Sequence, residues 1–278
     1  MTDIAQRTPT VRVAQPSALR LGLARGSVEL RQFFRQRETV IFTFAMPAIL
    51  LLLLGSIEHQ QIDGSTAGQL LTAGMIGAGI VSTSFVSVGT GIALDRDDGT
   101  LKRLRGTPMP ATAYFLGKLV LVAVSSLAEV VLLLLVGTLM FGVRLPSQGS
   151  AWLTLAWVFV LGVLSCTLLG IVASGLARSA RSAPAVLNLV FLVLEFISGI
   201  FVVPITTLPN WMIDIASLFP IKWLAQGFRS AFLPANMRVL EAAGQWEHLK
   251  TALVLGGWGL AGLALCLLTF RWTARRDR

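Results

Sequence analysis

Six stretches of the chain stay apolar over the roughly 20 residues that a helix needs to cross a bilayer. They run approximately Thr39 to Ile57, Leu70 to Leu94, Phe115 to Val143, Ala151 to Ala177, Pro184 to Val203 and Thr251 to Trp272. This spacing predicts an all-α integral membrane protein with six transmembrane helices over residues 39–272. Ahead of the first run the period changes to that of an amphipathic helix. Leu19, Leu23, Leu30 and Phe34 lie near one stripe with Phe33 beside it, while Arg20, Arg31, Arg35 and Arg37 lie largely off it. Residues 17–38 are therefore expected to lie in the membrane interface with the apolar stripe among the acyl chains. Residues 1–16, which carry Thr, Pro, Gln and Arg without periodicity, are expected as a disordered tail, and 273–278 as a second tail.

The second run is crowded with Gly74, Gly77, Ala78, Gly79, Ser82, Thr83, Ser84, Ser87, Gly89 and Gly91. Small residues let helix backbones approach closely in lipid, which places this helix inside the bundle or at a subunit interface. Lining a pore is the alternative use of the same residues.

Two connections stand out. Leu94 to Lys118 is the most charged interior segment. Asp98 is placed to cap a helix, Leu101 and Leu104 share a face, and Lys102, Arg103 and Arg105 load the last turn before Gly106 and Pro108 stop it. A helix of about two turns is not stable alone in water, so this one needs a surface to dock on. The other connection, 204–250, opens with PITTLPNWMIDIASLFP. The run from Asn210 to Phe219 is too short to cross a membrane. It is expected as a short re-entrant exterior helix, bracketed by Pro209 and Pro220, anchored by Trp211 and shaping an outer mouth with Pro204.

Composition agrees with the pattern: 54% of residues are hydrophobic and 13% charged, where a soluble domain has about 25% charged. A net charge of +9 raises nucleic acid as a partner. That reading needs a basic face on a soluble fold, and here Lys and Arg are parcelled out between apolar runs, so no nucleic acid is expected. The distribution instead orients the chain against anionic lipid. Eighteen of the 23 Lys and Arg fall before the first run, from Arg96 to Lys118, between the fourth and fifth runs, or from Arg271 onward. Arg144, Lys222, Arg229, Arg238 and Lys250 fall on the other side, which puts both termini in the cytoplasm. The first apolar run begins only after seven arginines, unlike a cleavable signal, and is expected to remain as an anchor. Cys166 and Cys266 sit inside apolar runs and read as small buried hydrophobes.

Catalytic chemistry is sparse. His59 and His248 fall in exterior connections beside glutamates, without the spacing of a metal set. No G-x-x-x-x-G-K-[ST] phosphate loop occurs, so ATP, if used, is hydrolysed by another polypeptide. A metal-dependent phosphotransferase reading of Asp98-Gly99 would need further aspartates one and two turns on. The next acidic residue is Glu129, inside the third run. Glu129 and Glu195 are carboxylates at membrane depth and must face the bundle interior, pair or be protonated. Two readings stay open for them: contacts in a translocation cavity, with Asn188 as a weaker polar companion, or neutral carboxyls hydrogen-bonded to a neighbouring helix.

The segment DRDDGTLKRLRGTPMPATAYFLGK resembles the signature of ABC-2 type transporter permeases, such as the daunorubicin-resistance permeases. The resemblance is carried by Asp95, Arg96, Asp97, Gly99, Thr100, Leu101, Thr107, Pro108, Gly117 and Lys118. A second block, GIFVVPITTLPNWMIDIASLFPIKWLAQGFR, resembles the C-terminal pattern of the same family. Lys102 and Arg103 depart from it, since many relatives carry an acidic residue there. The resemblance implies a coupling helix over about residues 95–108 seated in a groove of a separate ATPase. Leu101 and Leu104 would then be the apolar contact, Asp98 the cap, Arg105 and its basic neighbours the orienting charges, and Asp95, Arg96 and Asp97 the brace. It further implies two ATPase subunits holding ATP and Mg, a second permease chain of identical or related sequence, and a place in a bacterial plasma (inner) membrane. The activity implied is export of a hydrophobic or amphipathic drug, antibiotic or lipid. The alternative is a proton-coupled secondary transporter using Glu129 and Glu195, against which no internal inverted repeat is evident.

Overall fold

The computed structural model describes residues 17–57, 61–62, 65–177, 179–202 and 204–269. The tails expected at 1–16 and 273–278, and His59, lie outside these residues. Eleven α-helices occur among the described residues: α1 (Ala18–Arg35), α2 (Arg37–Ile57), α3 (Ala67–Val81), α4 (Val88–Asp97), α5 (Thr100–Arg105), α6 (Ala111–Phe141), α7 (Gly149–Ala173), α8 (Ala183–Ile197), α9 (Asn210–Leu218), α10 (Pro220–Phe232) and α11 (His248–Thr269). A π-helical segment, Ser82–Ser87, joins α3 to α4, and a two-residue antiparallel pair, Gln61–Ile62 with Ser65–Thr66, precedes α3.

The bundle is built around α3, the π segment and α4, a continuous Ala67–Asp97 rod. Of its most apolar window 83% is buried, against 6% for α2 at the periphery. The small residues explain this position. A side chain at Gly77 would meet the backbone of Leu224 and Ala225, and one at Gly170 of α7 would meet the carbonyls of Ser84 and Phe85. The rod therefore contacts α10 and α7 backbone to backbone.

Among the described residues, five helices are long and apolar enough to cross a membrane. The sixth expected span falls on the fifth run, where the helix is shorter: α8 has 15 residues, about 22 Å, against a hydrocarbon core of roughly 30 Å. The helix stops because Gly199 adopts a left-handed φ of 69°, and Arg229 Nη1 holds its carbonyl at 3.1 Å.

The connection after α8 holds two helices where the sequence reading expects one. The expected re-entrant segment, α9, is mostly exposed, with Ala216 its one buried residue. The buried element is α10, and the two helices form a hairpin turning at Phe219–Pro220. Its turn is deep. Leu218 O accepts from Trp258 Nε1 at 2.6 Å, and Ala225 lies against Gly77. Trp258 and Gly77 are each ten residues inside α11 and α3, about 15 Å from the helix ends. Pro220 thus sits at the bottom of the hairpin rather than at a mouth.

In α1 the stripe Leu19, Leu23 and Phe34 is exposed, as an interfacial helix requires. Its protein-facing side is Gly22, Gly26 and Glu29. Cβ atoms at Gly22 and Gly26 would stand 2.5 and 2.7 Å from Leu116 and Val120, so α1 lies closely along the first turns of α6.

Candidate functional site

The short basic helix forms where the sequence places it. Gly99, with φ 76°, supplies the left-handed residue that lets the chain leave α4 and start α5. Asp98 Oδ1 accepts from the Thr100 amide at 3.0 Å, and these Thr100 hydrogen bonds hold the Asp98 carboxyl below the usual carboxylate range. Thr107 Oγ1 donates to Leu104 O at 2.6 Å, closing the last turn ahead of Pro108.

The expected partner contact through the leucines is corrected. Leu101 is 2% exposed and packed in the chain's own core, with Leu104 and Met109 half-buried against it. Leu101 therefore anchors α5 to the bundle. What α5 presents outward is Lys102, Arg103 and Arg105, followed by Gly106, Thr107 and Pro108, all exposed.

Below α5 each residue of the Asp-Arg-Asp triplet reaches a different neighbour. Arg96 Nη2 donates to Ala177 O at 2.9 Å and to Ser174 O at 3.3 Å, past the end of α7. Asp97 Oδ2 accepts from the Ala180 amide at 2.5 Å, just before α8. Asp95 Oδ2 accepts from Lys118 Nζ at 2.7 Å and from Tyr114 OH at 2.8 Å, both on α6. Lys118 Nζ also reaches Glu29 Oε2 of α1 at 2.9 Å, and Glu29 Oε1 accepts from Arg25 Nη2 at 2.5 Å. Two cations and two carboxylates thus form a charge-balanced buried chain joining α1, α4 and α6 at the base of α5. Charge balance matters here because a buried ion costs several kcal/mol unless paired and hydrogen-bonded.

Glu29, Arg25 and Tyr114 were not singled out from the sequence. A signal was available: Lys118, eight residues into a long apolar helix, requires an anionic partner, and Glu29 is the one acidic residue of α1.

The membrane-depth polar residues are not brought together. Glu129, on α6 and 1% exposed, accepts from Thr83 Oγ1 of the π segment at 2.6 Å. Its Oε1 has no hydrogen-bond partner among the described residues and occupies the space left by Gly79. Glu195 is buried on α8, Asn188 of the same helix is exposed, and no described contact joins either to Glu129. At the far end Pro204 starts a short turn, Pro209 caps α9 and Trp211 is 58% exposed. The Arg229 of α10, expected in a loop, is buried and paired with Glu241 at 2.6 Å. His248 packs edge-on to Trp157, and both cysteines are buried and free.

A search among curated proteins finds no match. The model of the ABC-2 type transporter family matches residues 26–233, from the middle of α1 to the end of α10, and so takes in α5, its ionic base and the α9–α10 hairpin. Its match over most of the chain, with α5 and the apolar helices within it, identifies the chain as a member of the ABC-2 type transporter family.

Proposed function

We propose that this chain is the permease subunit of an exporter, that two copies of a separate ATPase power it with ATP and Mg, and that α5 is where they engage. The family supplies the coarser statement, a permease component of an ABC-type transporter. The observation that carries the finer one is the way α5 is held. A helix of six residues has no independent stability, yet here it is pinned by buried Leu101 while its basic side is left in the open. Force applied to α5 passes through Asp95 and Lys118 to α6 and α1, and through Arg96 and Asp97 to the segment before α8.

In this reading the α5 end and both termini are cytoplasmic and the membrane is a bacterial plasma membrane. The charge skew sharpens in its favour, because Lys222 and Arg229 are packed inside the hairpin rather than in an exterior loop. A second copy of the chain completes the transporter. Asn188, a polar side chain exposed on an otherwise apolar α8, suits a helix-helix contact in which its amide finds a partner. The cargo is a hydrophobic or amphipathic compound such as a drug, antibiotic or lipid, moved outward.

Reconstitution in inside-out vesicles tests this. With a candidate ATPase present, uptake of a fluorescent amphipathic dye is expected to require ATP and to persist when the proton gradient is collapsed. Uptake driven by a proton gradient alone and lost in Glu129→Gln or Glu195→Gln would replace this reading with proton coupling.

A further inference from the structure

Helices α1 and α5 both expose basic residues, and the surroundings of those residues differ. On α1 the exposed Arg20, Arg31 and Arg35 share the helix with exposed Leu19, Leu23, Val28 and Phe34, the mixture by which a helix anchors in a lipid interface. On α5 there is no such anchor. Between Leu94 and Val124 every large hydrophobic side chain is buried or half-buried, while Lys102, Arg103 and Arg105 are exposed. The two leucines of α5 pack on the bundle instead.

The same stretch sorts its charges by sign. Its exposed carboxylates are taken up by the chain's own amides, Asp97 by Ala180 and Asp98 by Thr100. Helix α5 itself carries three cations and no acidic residue. Arg103 Nη2 leans on Thr100 Oγ1 at 3.3 Å and on Asp98 O at 3.4 Å, and Asp98 attracts it through space. Neither Arg103, Arg105 nor exposed Arg181, next to Ala180, forms an ion pair among the described residues. A short helix pinned by Leu101 and charged on its open side offers a partner one kind of contact. Guanidinium and ammonium groups gain most from carboxylates, which steer encounter, fix register and accept Arg in bidentate geometry.

We infer that the ATPase receives α5 in a groove lined with Asp or Glu carboxylates that pair with Lys102, Arg103 and Arg105, so that docking is held by charge rather than by an apolar knob. This rests on the reading of α5 as the ATPase contact and specifies the surface that meets it. The contact is then weakened by salt, and its charges select which ATPase the chain accepts. An anionic membrane is the other acidic partner, and the missing apolar anchor disfavours it.

The test uses the chain in phosphatidylcholine nanodiscs with the ATPase that drives the reconstituted transport. Arg103→Lys and Arg105→Lys keep the charge and supply amines, and a carbodiimide joins an amine only to a carboxylate in direct contact. The expected product is an amide between an α5 lysine and an Asp or Glu of the ATPase, found by mass spectrometry. Affinity of the unsubstituted chain should fall by roughly tenfold or more between about 50 and about 300 mM NaCl. A Lys102→Gln, Arg103→Gln, Arg105→Gln variant should bind weakly and with little salt dependence. Disuccinimidyl suberate, which joins two amines across a longer span, separates the two ways of failing. If it links α5 to the ATPase while the carbodiimide does not, or if affinity ignores salt, the acidic groove is wrong and the contact stands. If neither reagent links α5, the contact itself is wrong. Unchanged ATPase affinity in the Gln variant, with weakened binding to phosphatidylglycerol vesicles, would assign the charges to the membrane instead.

Discussion

Lys118 and Lys222 are both lysines buried in a membrane bundle, and the protein treats them in opposite ways. At the α5 end, Lys118 bridges Asp95 of α4 and Glu29 of α1. Charge there is used as a three-way joint, and the joint sits under the helix that a partner would push. At the hairpin end, Lys222 meets a hydroxyl and an indole face and makes no ion pair among the described residues, with Glu241 and Glu247 acting on it only from a distance. A closed ionic set stiffens a structure. The difference separates a region tied together by ion pairs from one held by a hydroxyl and an indole.

The largest expected effect tests the joint. Lys118→Met leaves Glu29 and Asp95 buried without a shared cation and should cost about 3–5 kcal/mol, read as a fall in thermal unfolding temperature in detergent. Adding Glu29→Gln and Asp95→Asn should restore most of it. Lys222→Met, which removes an unpaired charge, should leave the unfolding temperature unchanged or raise it. Equal losses in the two single variants would erase the distinction between the ends.

Next is the seating of α1 on α6. Gly26→Leu forces a side chain into Val120, which a Cβ alone would meet at 2.7 Å, and should cost about 1–3 kcal/mol. Leu23→Ala, on the exposed face of the same helix, should cost little, so the pair of variants tells which face of α1 bears the load.

The smallest effect is a pH dependence of the α5 cap. The folded pKa of Asp98 lies below its ordinary 3.8, so its contribution is complete above that value and lost as pH falls through the lower folded one. Exchange of the Thr100 amide should therefore rise, after correction for intrinsic rates, only on acidification below about pH 4, and Asp98→Asn should abolish that response. Exposure of the carboxylate keeps the effect small.

Much of this architecture was legible in residue pattern. The crowding of glycine and serine between Gly74 and Gly91 placed that helix in the interior, and Asp98, Gly99, Gly106 and Pro108 bracketed α5. The misses have physical causes. Leu101 and Leu104 were correctly put on one face, but periodicity does not say whether that face meets the chain's own core or a partner. The end of α8 is not visible in the fifth run because Gly199 and Ile200 look apolar, while the left-handed φ at Gly199 and the hydrogen bond its carbonyl accepts from distant Arg229 belong to the fold. Helix α10 was hidden because Lys222, Gln226 and Arg229 give it the look of a solvated segment. Their partners, Ser217, the Gln245 carbonyl and Glu241, come together only in the fold. The pairing of Glu29 with Lys118 likewise spans a sequence separation that no local pattern reports.

The central claim is that α5 engages an ATPase through its basic side while Leu101 holds it to the bundle. The direct measurement is co-isolation of the ATPase with the detergent-solubilised permease, for wild type and for a Lys102→Glu, Arg103→Glu, Arg105→Glu variant. The account predicts that the charge-reversed chain keeps its thermal stability, since these residues are exposed, and loses the ATPase. Undiminished co-isolation by a stably folded charge-reversed chain would contradict it.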